Sequence, residues 1–166
     1  MNSDIFQSPV LHLVCGKIAA GKSTLTRQLA ERPNTVLISE DVWLSQLYTD
    51  EIHTLGDYVR RSGQLRNALA PHIESLLRVG LSVVLDFPAN TLSNRRWMKD
   101  IIDGAGVSHE LHYLDVSDEV CKTRLRERNT SGAHPFAPSD AEFDEITRYL
   151  VPPTSDEGFH IVRHEP

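Results

Sequence analysis

The chain has 166 residues, of which 40% are hydrophobic and 24% are charged, with nine glycines and nine prolines. This length suits one compact domain, and the composition excludes collagen-like, coiled-coil and wholly disordered chains. The chain has 17 lysines and arginines against 23 acidic residues, and its formal net charge is -6. This charge gives no general attraction to nucleic acid or anionic membrane. A polyanion that binds must therefore meet a local positive patch.

Short apolar runs alternate with helical periodicities along the chain. The predicted strands are 10–15, 35–39, 81–86, 111–116 and 159–162. The predicted helices start at Ser23, span about 54–79 with a bend or restart at Pro71, span 92–102 and about 118–128, and follow a capping box of Ser139 and Glu142. Residues 129–138 are rich in Gly, Pro, Ser and Thr and predict a mobile loop. The alternation predicts an α/β fold, a parallel sheet with helices on both faces, as one domain over 1–166.

Targeting and metal-binding patterns are missing from the sequence. The first seven residues lack the basic start and apolar run of a secretory signal, and no stretch approaches the roughly 18 apolar residues of a membrane span. We therefore expect a cytoplasmic protein with no membrane partner. Two cysteines are too few for a disulfide framework. The eight histidines are scattered without an H-E-x-x-H pattern, so the sequence does not predict a zinc ion held by the protein.

Residues 16–23, Gly-Lys-Ile-Ala-Ala-Gly-Lys-Ser, match the P-loop or Walker A pattern between a predicted strand and a predicted helix. Gly16 and Gly21 permit backbone angles that a side chain would penalise, and the loop amides and the positive end of the helix form an anion site. Lys22 would place a cation on the β- and γ-phosphates, and the Ser23 hydroxyl can ligate Mg²⁺. The alternative is a glycine-rich turn that contains Lys-Ser by chance. The predicted nucleotide-binding residues of the loop are Gly16, Lys17, Ala19, Ala20, Gly21, Lys22, Ser23 and Thr24.

Two strand ends carry acids that could serve the same site. Asp86 ends the third predicted strand as a Walker B carboxylate does, and would hold Mg²⁺ directly or through water; the alternative is a turn or capping residue. Asp41 is the candidate base for an acceptor hydroxyl, although it could also cap a helix that begins at Val42. Glu40 takes this role if the register differs by one residue. Because parallel sheets bind ligands at the carboxyl ends of their strands, Gly16, Asp41 and Asp86 should converge.

Arginines on the predicted helix over about 118–128 are candidates for phosphate contacts. Arg124 and Arg128 fall within the apolar arc of this helix at about 100° per residue, whereas Arg126 points away and is expected to be solvated. A buried guanidinium needs an anionic partner, which triphosphate oxygens or a carboxylate such as Asp140 or Asp144 could provide. Because the Gly/Pro-rich segment follows these arginines, they predict a lid that closes over the nucleotide and excludes water.

With the P-loop, the acidic turn, the Asp86 strand end and the two arginines, the chain resembles the small bacterial P-loop kinases related to polynucleotide kinase, chloramphenicol phosphotransferase and the zeta-toxin kinases, often described as AAA-domain ATP-binding proteins. The resemblance extends from Val10 to about Val162, and the P-loop is its one highly specific motif. It implies a three-layer P-loop NTPase fold of five parallel strands, with the P-loop strand in the middle and a short mobile lid at about 129–142.

The resemblance also implies ATP as phosphoryl donor together with Mg²⁺. By position, Asp41 matches the acceptor-activating carboxylate of these kinases, Arg124 and Arg128 match their lid arginines, and 153–157 lies where such kinases often hold adenine. Phe87-Pro88 departs from the small polar residues that the group often has there. The lid residues 130–134 carry no further arginine, so transition-state charge would fall on Lys22, Mg²⁺, Arg124 and Arg128.

The sequence leaves three candidate functions. The leading hypothesis is an ATP-dependent kinase acting on a hydroxyl of a small-molecule or nucleotide-like acceptor, with Lys22, Asp41, Arg124 and Arg128 as catalytic residues and Ser23 and Asp86 as metal ligands. The second is a nucleotide-dependent switch or assembly ATPase acting on a partner, for which 166 residues leave little room. The third is a nucleic-acid end kinase, which would need a basic groove; the candidate residues, otherwise exposed helix charges, are Arg60, Arg61, Arg95 and Arg96.

Overall fold

The five predicted strands form one parallel sheet. The computed structural model describes residues 7–132 and 137–166. The strands are β1 (Val10–Gly16), β2 (Thr35–Ser39), β3 (Ser82–Asp86), β4 (Ser108–Leu114) and β5 (Ile161–His164), in the order β2-β3-β1-β4-β5. The helices are α1 (Lys22–Ala30), α2 (Glu40–Leu47), α3 (Leu55–Arg78), α4 (Leu92–Ala105), α5 (Asp118–Ser131) and α6 (Asp140–Thr147), with a 3₁₀ turn at Ser155–Glu157. The expected P-loop NTPase architecture, with β1 in the middle of the sheet, is confirmed.

Apolar side chains on both faces of the sheet explain the three layers. Leu11 and Leu13 of β1 are fully buried in a core shared with α3 and α4. On the opposite face, Leu114 at the end of β4 packs in a second core with Leu125 of α5 and Phe143 of α6. Because both faces are covered, β1 and β3 are mostly apolar rather than alternating, as is typical of parallel sheets, whereas β4 carries two histidines and a glutamate.

Helix α3 continues through Pro71, where a bend or restart was predicted. It starts at a capping box in which Thr54 Oγ1 accepts from the Asp57 amide at 3.1 Å and Asp57 Oδ2 accepts from the Thr54 amide at 3.1 Å. Proline removes one helical hydrogen bond, but Leu69 and Ile73 on either side of it are buried, and tertiary packing provides most helical stability in proteins. No helix in 7–132 or 137–166 is both long enough and apolar enough to cross a bilayer.

Two predicted boundaries near the lid segment shift. Helix α5 runs to Ser131 and ends at Gly132 with a φ of 65°, so the loop expected from residue 129 begins three residues later. Strand β5 begins two residues later than predicted, at Ile161, where its pairing with Leu111 of β4 starts. The capping box of Ser139 and Glu142 is confirmed at the start of α6. Residues 133–136 of the predicted lid, including His134, lie outside the described residues.

Candidate active site

The P-loop joins the end of β1 to the start of α1 in one tight turn. The Ala20 amide donates to the Lys17 carbonyl at 3.1 Å, and the backbone takes positive φ angles at Ala19 (61°) and Gly21 (103°). Gly21 is the N-cap of α1, and no side chain of the described residues caps this helix. The first amides of α1 therefore point out of the loop with the positive end of the helix, which is the arrangement that binds phosphate.

The Lys22 ammonium is held over the loop. Its Nζ donates to the carbonyl of Gly16 at 2.6 Å and to the carbonyl of Lys17 at 2.7 Å. Burial lowers the pKa of Lys22, and the nearby Asp86 carboxylate acts in the opposite direction. The side chain of Lys17 takes another course, since its Nζ binds Asp118 at 2.6 Å and the Val116 carbonyl at 2.9 Å. Lys17 is among the predicted nucleotide-binding residues, and with its side chain engaged in this way it would contact a nucleotide through its backbone.

A cavity of about 440 Å³ lies against the loop. Its described lining contains four basic side chains and no carboxylate, and two hydroxyl groups, those of Ser23 and Thr24, are exposed beside it. The buried Nε of Arg128 has no hydrogen-bond partner among the described residues. Such unneutralised positive charge fits a polyphosphate. The full described lining is Ile18, Ala19, Gly21, Lys22, Ser23, Thr24, Arg27, Arg124 and Arg128.

The arginines of α5 differ in part from expectation. Arg128 is half-buried, whereas Arg124 is exposed and donates to the Ala20 carbonyl at 3.4 Å, because only Cys121 and Leu125 of this helix are buried. The carboxylates considered as alternative partners bind other basic residues. Asp140 pairs with Arg126, and Asp144 pairs with Lys122 at 2.7 Å. Both Arg124 and Arg128 therefore remain beside the P-loop cavity.

Asp86 and Asp41 lie close together at the carboxyl ends of β3 and β2. Ser39 pairs with Asp86 in register across the two strands, and the Ser39 hydroxyl hydrogen-bonds the Asp86 carboxyl. Burial raises the pKa of Asp86, the Asp41 carboxylate raises it further, and the Lys22 ammonium opposes both effects. Gly16, Asp86 and Asp41 thus stand at or just after the carboxyl ends of the neighbouring strands β1, β3 and β2, as predicted, and Lys22 binds the Gly16 carbonyl there.

The adjacent acids Glu40 and Asp41 have different environments. Helix α2 begins at Glu40 with Ser39 as N-cap, so Asp41 lies in the first turn and does not cap a helix starting at Val42. Asp41 is exposed and lines a second cavity of about 480 Å³, together with Tyr48, Asp50 and other residues of α2 and the segment after it.

Glu40, by contrast, is only 1% exposed. It accepts hydrogen bonds from the Tyr58 hydroxyl, from Ser62 Oγ at 3.2 Å and from Arg66 Nη2 at 3.4 Å. Burial and the bond to Glu40 raise the pKa of Tyr58. Glu40 therefore holds α2 against α3, and Asp41 is the acid of this pair that is open to solvent.

Asn90 is a contact of the P-loop that sequence reasoning missed. Its Oδ1 accepts from the Gly16 amide at 3.0 Å, and its Nδ2 donates to the Gly16 carbonyl at 3.0 Å. The Gly16 amide is thereby engaged within the protein rather than free for phosphate. No local pattern signals this contact, because the two residues are 74 positions apart and meet only when β3 pairs with β1.

Arg95, predicted as an exposed charge, is fully buried. Its Nε binds Glu157 Oε1 at 2.7 Å and its Nη2 binds Oε2 at 3.1 Å, while Nη1 donates to the carbonyls of Ala89 at 2.8 Å and Val151 at 2.9 Å. Burial raises the pKa of Glu157, but the hydrogen bonds from Arg95 and the Thr154 amide together lower it by more than burial raises it. The pKa of Glu157 is therefore below its ordinary value. Arg95 thus joins the segment after β3 to the segment before β5.

The basic groove proposed for nucleic acid is therefore not formed as expected. Besides the buried Arg95, Arg60 pairs with Asp57 at 3.4 Å on the surface of α3. Arg61 pairs with Glu51 at 3.2 Å and lies over the Tyr48 ring. Arg96 on α4 is exposed, as Arg60 is, but the two lie on different helices.

Comparisons with known proteins agree with this architecture. The family model described as AAA domain matches residues 11–153. A search of curated proteins found no significant match. A structure from Chloroflexus aurantiacus j-10-fl, named as a kinase without a stated acceptor, is 22% identical with a TM-score of 0.70, covering 96% of this chain and 86% of that chain.

Two further kinase structures are similar. A sugar kinase from Janibacter sp. HTCC2649 is 19% identical with a TM-score of 0.66, covering 96% of this chain and 86% of that chain. The APS kinase of Mycobacterium tuberculosis, in complex with AMPPNP and APS, is 19% identical with a TM-score of 0.62, covering 96% of this chain and 89% of that chain. At these identities the likeness shows the fold, that of P-loop kinases.

Proposed function

This chain belongs to the AAA domain family, and on that premise we propose that it is a kinase that transfers the γ-phosphoryl group of ATP to a hydroxyl group of a small-molecule acceptor. One observation carries the proposal: Lys22 in the P-loop after β1, Asp86 at the end of β3 and Asp41 just after β2 lie at the carboxyl ends of neighbouring strands, where one cavity is rich in positive charge and another is lined by Asp41. A cation for the donor and a carboxylate for the acceptor, on adjacent strand ends, are the parts that phosphoryl transfer needs.

The donor half of the site would hold ATP through the amides at the start of α1 and the Lys22 ammonium. Arg124 and Arg128 would neutralise charge on the phosphate oxygens from the other side of the cavity. The Ser23 hydroxyl and the Asp86 carboxylate supply the oxygen ligands that Mg²⁺ prefers. When bound, the ion would supply positive charge to the β- and γ-phosphates. The complex of the similar APS kinase with AMPPNP supports the choice of an adenine nucleotide.

The acceptor half of the site would depend on Asp41. The acceptor oxygen forms a bond to the γ-phosphorus, the bond from that phosphorus to the bridging oxygen breaks, ADP leaves, and the hydroxyl proton passes to Asp41. Glu40 would not compete for this proton, since three side chains already donate to its oxygens.

A transfer assay with two matched variants tests the proposal. The protein is incubated with Mg²⁺, ATP labelled at the γ-phosphate and a metabolite extract, and phosphorylated products are identified. We expect Asp41→Asn to keep ATP affinity and to lower transfer by about 10²–10⁴-fold, the usual contribution of a general base. Asp50→Asn, which neutralises another carboxylate of the same cavity, should transfer at the normal rate. Equal rates for all three proteins would exclude Asp41 as the base.

Calorimetry separates the donor site from the acceptor chemistry. With Mg²⁺ present, the protein should release heat on mixing with ATP, and Lys22→Ala should weaken both binding and transfer. If no purine triphosphate produces heat, the kinase proposal fails at its first step, whatever the role of Asp41.

A further inference from the structure

Three metal-binding side chains meet on the sheet away from the P-loop. His12 of β1 pairs in register with Glu110 of β4, and His112 follows two residues later on the same face of β4. His12 Nδ1 lies 3.2 Å from His112 Nε2 and 3.4 Å from Glu110 Oε2, and His112 Nε2 lies 3.2 Å from the same carboxylate oxygen. One ligand atom from each side chain thus lies within 3.4 Å of the other two.

The edges of this triangle match the spacing of ligand atoms around a tetrahedral zinc ion. Bonds of about 2.0–2.1 Å at tetrahedral angles place the ligand atoms of a zinc ion about 3.3 Å apart, whereas right angles at the same bond length would bring them to about 2.9 Å. The observed edges of 3.2–3.4 Å correspond to one face of a tetrahedron. Two imidazoles and one carboxylate are a ligand set that zinc takes where a fourth position stays open.

Counting protons shows that hydrogen bonds cannot satisfy this cluster. His112 Nδ1 is 2.9 Å from His164 Nε2, and either nitrogen of that pair can be the donor. Each of His12 Nδ1 and His112 Nε2 carries at most one hydrogen and an ionised Glu110 carries none, so at most two protons serve the three contacts. A neutral imidazole is the form that binds a metal, and it does so through its unprotonated nitrogen.

The cluster can be reached from solvent at the amino ends of the strands. His12 and His112 are 3% and 4% exposed, whereas Glu110 is 35% exposed at its side chain. A cavity of about 270 Å³ lined by His12, Glu110, Arg32 and other residues opens beside it. The positive charge of Arg32 favours water, hydroxide or a small anion as the fourth ligand.

We propose that His12, Glu110 and His112 form a tetrahedral site for a divalent transition-metal ion, Zn²⁺ first among them, with one position open to this cavity. His164 would orient His112 through its second nitrogen, as partners of metal-bound histidines do. The site joins β1 to β4 and is separate from the proposed magnesium ligands at the other edge of the sheet. It also departs from the sequence-based expectation of no protein-held zinc, because its ligands come from two strands rather than one local motif.

Metal titration of the tag-free, chelator-treated full chain tests the proposal. We expect one Zn²⁺ per chain by calorimetry, a higher unfolding temperature with Zn²⁺, and the intense visible absorption of tetrahedral Co²⁺ when Co²⁺ is used instead. His164→Asn should weaken Zn²⁺ binding by about 10–100-fold, and Glu110→Gln, which removes a ligand of similar size, should weaken it further. His72→Gln, at an exposed histidine of α3, is the matched control and should bind as the unmodified chain does.

Zinc bound with equal affinity by Glu110→Gln and the unmodified chain would overturn the proposal. So would a weak octahedral Co²⁺ spectrum. X-ray absorption of the zinc-loaded unmodified chain needs no variant and serves if Glu110→Gln does not fold. Four nitrogen or oxygen neighbours at about 2.0 Å with imidazole scattering support the site, and a six-coordinate shell of oxygens refutes it.

Discussion

Asn90 binds both backbone groups of Gly16: its Oδ1 accepts from the Gly16 amide at 3.0 Å and its Nδ2 donates to the Gly16 carbonyl at 3.0 Å. The same carbonyl accepts from the Lys22 ammonium. The backbone carbonyl of Asn90 in turn accepts from the Val151 amide at 2.8 Å. One side chain after β3 therefore fixes the residue at which the P-loop leaves the sheet and, through it, an oxygen that positions Lys22.

Asn90→Asp should disturb the loop without changing the size of the side chain. The carboxylate can still accept from the Gly16 amide but places a second oxygen against the Gly16 carbonyl, so we expect the free energy of unfolding to fall by about 1–3 kcal/mol. ATP affinity, measured by calorimetry, should also fall. Asn67→Asp on the exposed surface of α3 controls for the added charge. Unchanged stability and affinity in Asn90→Asp would show that this contact does not organise the loop.

Arg95→Met should be among the most destabilising substitutions in the chain. It leaves Glu157 without its ion-pair partner and two carbonyls without a donor, and breaking a buried pair costs about 3–5 kcal/mol. Urea unfolding measures this loss. Arg96→Met, next to it but exposed, should stay within about 0.5 kcal/mol of the unmodified chain. The double variant Arg95→Met/Glu157→Gln should be more stable than Arg95→Met alone, because no unpaired charge remains; an additive loss would contradict this account.

The same ion pair predicts a dependence of stability on pH. The pKa of Glu157 is lower in the folded chain than its ordinary value, so the unfolded chain binds more protons there. The contribution of Glu157 to the free energy of unfolding is complete above the ordinary glutamate pKa. It is lost as the pH falls through the pKa of Glu157 in the folded chain. In urea unfolding between about pH 7 and about pH 3, the difference between the unmodified chain and Glu157→Gln should be largest at neutral pH and shrink with acid. A constant difference would mean that Glu157 does not titrate with folding.

Glu40→Gln should distinguish the structural role of Glu40 from the catalytic role proposed for Asp41. Removing the buried charge weakens the bonds from Tyr58 and Arg66, so we expect a loss of about 1–3 kcal/mol in the free energy of unfolding. The transfer rate per folded molecule should remain far above that of Asp41→Asn. Glu51→Gln, an exposed partner of Arg61, is the control for a surface ion pair. A transfer rate in Glu40→Gln as low as in Asp41→Asn would move the base to Glu40.

Local patterns predicted the sheet and the P-loop because their information lies within short stretches of chain. Apolar runs marked the strands, and residues 16–23 carried the loop by themselves. Tertiary contacts decided the rest. Helical position alone made Arg95 an exposed charge, yet Glu157, 62 residues away, gives its buried guanidinium a partner. The histidine cluster escaped notice for the same reason, since its ligands are joined only by the pairing of β1 with β4.

The hydrogen bonds from Lys22 to the carbonyls of Gly16 and Lys17 compete with any anion that binds in the loop. An arriving anion has to draw the ammonium away from two main-chain oxygens at 2.6 and 2.7 Å. Orthophosphate provides few oxygens for that exchange, whereas a chain of three phosphates offers oxygens to the lysine, the helix amides and the arginines at once. If the chain binds ATP as proposed, the loop itself would therefore favour longer phosphate chains, before any base or acceptor is recognised.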